Sequence, residues 1–204
     1  MSRGGASRAG CALAAWLLAS QVQAGHGLIN SFAGIAWLPD PGTTPTSWWY
    51  PAELLAERAE LAAARTPESR LERLHAAARE RIAECEAVVR AGHPAALPAA
   101  FAAYRATLEQ IDALVEAMPH TVREARRTTW ATTLLEHRYI VSTDWFDLPR
   151  SHRGELAPLM EISAAQYVRV RERLPRRRRD SLFFKEEEVR WSWEQAQGAD
   201  AQGL

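Results

Sequence analysis

Lysine, cysteine and long hydrophobic runs are scarce in this sequence of 204 residues, and each shortage excludes a class of protein. Acidic and basic residues balance at 25 each, and Lys185 is the only lysine among the bases. A balanced chain has no broad positive surface, so its charge gives no argument for nucleic-acid binding. Of the 2 cysteines, Cys11 lies in a candidate leader and Cys85 on a helix. Removal of the leader would exclude an intramolecular disulfide, and we expect Cys85 to be a small buried hydrophobic residue.

Several catalytic motifs are also missing from the sequence. It contains no G-x-S-x-G nucleophile elbow, no phosphate-binding glycine loop, no dinucleotide-binding fingerprint and no C-x-x-C-H haem attachment motif. His137, Ser142 and Asp144 are neighbours in sequence, but a single helix would scatter a triad built from them. We therefore predict a protein that is not an enzyme, with no catalytic residue and no cofactor.

The N-terminus has the features of an export signal. Arg3 and Arg8 precede the short apolar stretch 11–19, and Val22-Gln23-Ala24 offers small residues for a cleavage site. We predict a signal peptide over residues 1–24 and a periplasmic or secreted protein. Residues 28–38 form a second apolar stretch that is also too short to span a bilayer. Together with the leader it leaves an N-terminal membrane anchor open as the alternative.

The stretch from Thr66 to Gly92 has the clearest helical pattern of the chain. Thr66 is a favourable N-cap and Pro67 suits the first helical position, while Gly92 can end the helix in the left-handed conformation. Six apolar residues recur at steps of three and four and predict one buried face: Leu71, Leu74, Ala78, Ile82, Cys85 and Val89. The predicted opposite face carries Arg70, Arg73, Glu80, Glu84 and Arg90. We expect the rest of the chain to pack around this helix.

Similar apolar spacing continues toward the C-terminus, and no useful period-two pattern occurs. We predict an all-α fold, an antiparallel helical bundle of five to six helices after the N-terminal leader. Residues 25–50 are expected to be a linker or irregular lead-in, 51–196 the helical bundle domain and 197–204 a disordered tail. Helix starts are predicted at Pro51, at the capping-box pattern Thr121-x-x-Glu124 and near Asp180-Ser181. The last helix is expected to bury Leu182, Phe183, Phe184, Val189, Trp191 and Trp193.

Several of these stretches resemble a known family. They are Leu38-Pro39-Asp40, Tyr50-Pro51, Thr66-Pro67-Glu68 and the helical run 78–84 before Gly92. They are similar to an uncharacterised secreted bacterial and archaeal family, domain of unknown function 5667, over roughly residues 38–118. Glu53 stands where the family pattern has Lys, and the segment 42–48 lengthens the loop. The resemblance implies an exported helical domain and supplies no catalytic residue.

Three groups of residues are candidates for binding. Glu72 and His75 have the i,i+3 spacing that di-iron bundles use twice, but the pattern occurs once here, so they are only a weak metal candidate. The four consecutive arginines Arg176, Arg177, Arg178 and Arg179 can attract phosphate-bearing surfaces such as an anionic membrane. Glutamates 186–188 lie just beyond and can offset this charge. The aromatic run 48–50 is expected to pack at a helix entry, with a ligand-stacking platform as the alternative.

Two functions of different classes remain open from the sequence. The first is an exported, non-enzymatic module that acts through contact with an unknown protein partner, with peripheral contact to the envelope surface. The second is a helical bundle that binds a metal or a small ligand. The apolar helix faces without a convergent catalytic set favour the first function.

Overall fold

The computed structural model describes residues 31–201, with side chains through residue 198. The chain divides into two compact units, residues 1–33 and 34–204. Only a turn at residues 31–33 is described in the first unit, so the predicted signal peptide, residues 1–24, lies outside the described residues. The following paragraphs concern the second unit. Its described residues form helices and turns with no strand, which confirms the predicted all-α helical bundle.

The helices of the second unit follow one another through short connections. They are α1 (Tyr50–Ala63), α2 (Pro67–Arg90), α3 (Leu97–Ala117), α4 (His120–Asp144), α5 (Arg150–Arg153), α6 (Ala157–Glu172), α7 (Arg176–Asp180) and α8 (Phe183–Ala201). Single 3-10 turns lie at Pro94–Ala96, Trp145–Asp147 and Gly154–Leu156. Residues 35–42 before α1 have no regular structure, and 45–49 form turns.

Both ends of α2 form as the sequence predicts. The Ser69 amide donates to Thr66 Oγ1 at 3.1 Å, and the Thr66 amide donates to Ser69 Oγ at 3.3 Å, which completes a capping box. At the other end Gly92 has φ +70°, and the amides of Gly92 and His93 donate to the carbonyls of Val89 and Val88. This is the Schellman arrangement, in which a left-handed glycine satisfies the last carbonyls of a helix.

The six predicted apolar residues of α2 are all buried, but the predicted polar face is partly wrong. Glu84, predicted on the exposed face, is 1% exposed, and Arg81 beside it is equally buried. Their burial is possible because the two side chains pair with each other and with groups on α1. The helix therefore buries a charged pair beside its apolar stripe.

The other long helices of the bundle pack mainly against two of them, α2 and α4. α2 packs mainly along α3, and the six residues between these long helices make the pair antiparallel. α4 contacts α3, α6 and α8, and it buries Trp130, Leu134 and Leu135 completely. The prediction that α2 organises the whole chain therefore holds for α3, whereas α4 organises the C-terminal helices.

The start of α4 and the surface of α8 differ from the predictions. α4 begins at His120 with Pro119 at the N-cap and without a side-chain cap, so the capping box predicted at Thr121 does not form. Pro119 fixes an extended backbone there, and the helix starts directly after it. In α8 Phe183, Phe184 and Trp191 are exposed, contrary to the predicted burial. α8 packs mainly on α4, so one of its faces remains in solvent.

The last predicted boundary also differs. α8 continues to Ala201, five residues past the predicted end of the bundle at residue 196. Residues 202–204 of the predicted disordered tail lie outside the described part of the chain.

Candidate functional site

A groove with apolar side chains on its walls lies on the surface of α1, α2 and α3. Two adjoining cavities of about 420 and 470 Å³ share Arg58, Leu61, Leu74 and Gln110, so they form one continuous groove. We call it the α1–α3 groove. Its remaining lining residues are Leu54, Glu57, Glu60, Ala62, Arg70, Arg73, Ala76, Ala77, Glu80, Arg81, Ala103, Ala106, Thr107, Ala113 and Leu114.

The α3 wall of the groove is a helical stripe of three alanines, a glutamine and a leucine. Ala103, Ala106, Gln110, Ala113 and Leu114 recur at steps that keep them on one face. At 1.5 Å per residue the stripe is about 16 Å long. The alanines are partly or fully exposed, because α1 stands away from this part of α3. This largely apolar stripe is therefore accessible to solvent.

A buried polar network attaches α1 to α2 at one side of the groove. The Arg81 guanidinium donates to Glu84 Oε1 at 2.5 Å, to the Tyr50 hydroxyl at 3.1 Å and to a Glu57 carboxylate oxygen. The Tyr50 hydroxyl in turn donates to Glu84 Oε2 at 3.2 Å. Because every charged group has a partner, the network is stable in the interior of the fold. Arg81 and Glu57 also line the groove and offer it a polar contact.

Burial shifts the titration of this network. Desolvation raises the pKa of Glu84 to about 7, although Arg81 and Tyr50 act in the opposite sense. Burial and the nearby Glu84 raise the pKa of Tyr50 to about 12. A carboxyl titrating near neutral pH is a common feature of catalytic acids. Here Glu84 faces Arg81 and Tyr50 and does not line the groove, so its role in the described structure is to hold helices together.

The two residues of the weak metal candidate, Glu72 and His75, lie in different environments. Glu72 is exposed, whereas the His75 ring packs edge-on against Trp130 with ring centroids 5.3 Å apart. Burial lowers the pKa of His75 to about 4, and its buried Nδ1 has no hydrogen-bond partner. Within residues 31–201 no group of three or more His, Cys, Asp or Glu side chains could hold a metal ion.

A second histidine, His137, lies deeper in the core. Its burial was not predicted from the sequence. His137 Nδ1 lies 3.0 Å from the Tyr104 hydroxyl, and its buried Nε2 has no hydrogen-bond partner. Burial and the nearby His75 lower the pKa of His137 to about 3. Ser142 hydrogen-bonds instead to Ser192 and to the Tyr139 carbonyl, each at 2.7 Å. These bonds leave His137 and Ser142 with separate partners, as expected for residues outside a catalytic triad.

Cys85, the cysteine on α2, is fully buried at the centre of the helix face. Burial raises the pKa of its thiol above the usual range. The residue therefore acts as a small hydrophobic side chain, as predicted.

The arginine run forms α7, a single helical turn on the surface. Arg178 pairs with Glu124 at 3.1 Å, and Arg176 approaches Asp180 at 3.9 Å. Arg177 and Arg179 have no ion pair within the described part of the chain. The structure therefore presents part of the predicted anionic-surface candidate to solvent.

The aromatic run 48–50 does not pack at the entry of α1 as a group. Tyr50 is buried in the polar network, but Trp48 is 76% exposed and Trp49 is exposed beside it. Their ring centroids are 3.8 Å apart, so the two indoles cover each other instead of the core. The prediction that this run packs into the core is wrong for both tryptophans.

Fold and site together define an all-α helical domain with an open groove and a buried, paired network of Tyr50, Arg81 and Glu84. Residues 42–138 match the model of the family described as Domain of unknown function (DUF5667), which confirms the resemblance inferred from the sequence. The match extends from the segment before α1 into α4, and it contains every residue of the α1–α3 groove. No curated protein and no solved structure matches the chain. Within residues 31–201, no helix has the length and apolar character needed to cross a membrane.

Proposed function

We propose that this domain is a non-enzymatic interaction module, exported to the cell envelope, that binds an amphipathic helix of a partner protein in the α1–α3 groove. The observation that carries this proposal is the continuous groove with its alanine-rich α3 wall. The leader-like residues before position 25 support export, since they combine positive charge, a short apolar stretch and a cleavage pattern.

The dimensions of the groove fit one helix of a partner. Grooves of this kind take up an amphipathic helix through side chains at positions i, i+3, i+4 and i+7. A length of about 16 Å corresponds to about three helical turns. The short side chains of Ala103, Ala106 and Ala113 allow the partner backbone to approach α3 closely, while Leu61 and Leu74 provide apolar contact on the other walls.

The groove is equipped for binding more than for chemistry. Its described lining residues include no Ser, Cys or His, and the Thr107 hydroxyl donates to the Ala103 carbonyl at 3.0 Å. Arg81 and Glu57 are paired with each other, so neither is a free acid or base. At the rim Arg73 pairs with Glu60 at 2.5 Å while both remain accessible, and such exposed pairs can exchange partners with polar groups on an incoming helix.

Photo-crosslinking on α3 tests the proposal directly. A photoreactive phenylalanine analogue is placed at Ala106, inside the groove, and in a separate protein at Ala102, which is exposed on the same helix outside it. After irradiation of cells producing the full chain, we expect a discrete protein adduct from position 106 and none from position 102. Equal adducts from both positions, or none from either, would refute the proposal.

A filled groove provides the second arm of the experiment. Ala106→Trp places an indole between the groove walls, whereas Ala102→Trp adds the same ring on the outer surface. With the photoreactive residue at Ala113, we expect the adduct to disappear in the Ala106→Trp protein and to persist in the Ala102→Trp protein. Thermal unfolding followed by circular dichroism verifies that both variants are folded.

A small amphiphilic ligand is the second candidate occupant. The cavity of about 420 Å³ lies within the usual size range of ligand pockets, and buried Arg81 lines it. Native mass spectrometry of the purified protein distinguishes this case. A bound small-molecule mass that Ala106→Trp removes, without a protein adduct, would favour the ligand over the partner helix.

A further inference from the structure

The surface formed by α7 and the first residues of α8 presents arginines and aromatic rings side by side. We call it the Arg–Phe corner and define it as residues 176–184. Leu174 and Leu182, each 3% exposed, anchor the chain just before α7 and just before α8. Between these anchors Arg176, Arg177 and Arg178 are exposed and Arg179 is half-buried. The two phenylalanines after them are also exposed, Phe183 by 52% and Phe184 by 62%. The corner is thus fixed to the bundle while its charged and aromatic side chains remain accessible.

Backbone hydrogen bonds keep the two kinds of side chain close together. The Ser181 amide donates to the Arg177 carbonyl at 3.3 Å, and the Leu182 amide donates to the Arg179 carbonyl at 3.0 Å. These bonds hold the link between α7 and α8 in a compact turn. The rings of Phe183 and Phe184 meet edge-on with centroids 5.5 Å apart, so they form one apolar projection.

Two of the three glutamates after the corner are paired with arginines outside it. Glu186 is bound by Arg171 and Glu187 by Arg190, so both carboxylates are engaged on α8. Arg177 and Arg179 have no ion pair among residues 31–201, which leaves a local positive surplus beside the Phe pair. The sequence alone indicated that the glutamates 186–188 can offset the arginines, and the pairing in the structure removes that objection for Glu186 and Glu187.

We propose that the Arg–Phe corner docks on an anionic phospholipid bilayer. Guanidinium groups bind phosphate through two parallel hydrogen bonds, and basic residues near an anionic leaflet are attracted by its negative surface potential. Exposed aromatic rings beside such a cationic group insert at the boundary between head groups and acyl chains. A polyanion such as nucleic acid or an acidic protein would satisfy the arginines but would give no apolar medium to Phe183 and Phe184. This inference is independent of the α1–α3 groove, which lies on other helices.

Vesicle co-sedimentation of the full chain tests the corner. The probes are vesicles of phosphatidylcholine with and without phosphatidylglycerol. We expect binding to the anionic vesicles alone. Arg177→Ser/Arg179→Ser is expected to lower the partition coefficient by about 25-fold, from about fivefold for each basic residue near an anionic surface. Phe183→Ser/Phe184→Ser should lower it at least about tenfold, since both rings lose their apolar contact.

Matched control variants distinguish binding by the corner from an effect of overall charge or hydrophobicity. Arg65→Ser/Arg105→Ser removes the same charge from exposed sites elsewhere, and Phe146→Ser removes an exposed ring after the far end of α4. Both controls should bind like the unchanged protein. The proposal is overturned if the protein ignores anionic vesicles, or if the phenylalanine variant binds normally while heparin competes fully, which would indicate a general polyanion site.

Discussion

Acidification should weaken the fold through two histidines, the buried His137 and the half-buried His75. Burial lowers the pKa of His75 to about 4 and that of His137 to about 3, against an ordinary value of 6.5. Between pH 6.5 and these lowered values, the unfolded chain binds protons that the folded chain does not. The contribution of each neutral histidine to stability is therefore complete above pH 6.5 and is lost as the pH falls below it.

The loss in the free energy of unfolding follows from the difference between the chosen pH and the ordinary pKa of histidine. At pH 5, which is 1.5 units below 6.5, each histidine costs about 2 kcal/mol because one pKa unit corresponds to about 1.36 kcal/mol. The two together cost about 4 kcal/mol. Glu84 and Asp144 have the opposite effect on stability. Burial raises the pKa of each to about 7. The folded chain therefore binds these two protons more readily than the unfolded chain and gains stability as the pH falls through that value. The unchanged protein alone cannot isolate the histidines.

A variant with glutamine at both positions isolates their contribution. Urea unfolding followed by circular dichroism gives the free energy of unfolding at pH 7 and pH 5 for His75→Gln/His137→Gln and for the unchanged protein. We expect the difference between the two proteins to shift by about 4 kcal/mol in favour of the variant on going to pH 5. His120→Gln, which removes an exposed imidazole, is the control and should leave the difference unchanged. A shift below about 1 kcal/mol would refute the burial of two neutral imidazoles.

Two further substitutions test the described contacts. Arg81→Met should lower the free energy of unfolding by about 3 kcal/mol because it leaves Glu84 buried without its cation, and Arg81→Met/Glu84→Leu should recover at least half of that loss. Urea unfolding measures both, and a double variant no more stable than the single one would contradict the buried pair. Thr66→Ala should cost about 1 kcal/mol by removing the cap of α2. An unchanged unfolding midpoint would show that the capping box contributes nothing.

The sequence predicts the helices of this fold well because their cause is local. Apolar residues three and four positions apart, a capping threonine and a left-handed glycine are all read within one stretch of chain, and α2 forms accordingly. Burial of charged side chains, in contrast, cannot be predicted from one stretch of chain. Arg81 and Glu84 have side chains that are normally exposed, and only Tyr50, 31 positions before Arg81, together with Glu57, makes their burial favourable. Such a partner is recognisable only once α1 is placed against α2.

The same reasoning explains why the exposed aromatic residues and the groove were not predicted. Phe183, Phe184 and Trp191 have spacing typical of a buried face, but burial also requires a neighbouring element, and α8 packs mainly on α4. The alanines of the α3 wall are good helix formers and carry no binding pattern in the sequence. They become a candidate site because α1 stands away from them, and that separation is a property of three helices at once.

Polar contacts explain why α1 stands away. Tyr50 is the only buried residue within the helix, so little apolar surface draws α1 onto the bundle. Paired polar side chains attach α1 to α2 instead. Tyr50 and Glu57 contact Arg81, and Glu60 contacts Arg73. These contacts are spread over about three helical turns and therefore fix the register of α1.

A charged bridge also sets a distance, because a guanidinium and a carboxylate must both fit between the two backbones. Leu54 and Leu61 on α1 consequently stay half-buried along the groove instead of packing fully against Ala103 and Ala106. Closing the groove would bury these apolar groups, but it would require the paired charges to lose hydrogen bonds in a dry interior, which is the larger cost. The amphipathic helix that we propose as the partner would cover the same surface without breaking those bonds. The polar network thus keeps the groove and its apolar side chains open to solvent.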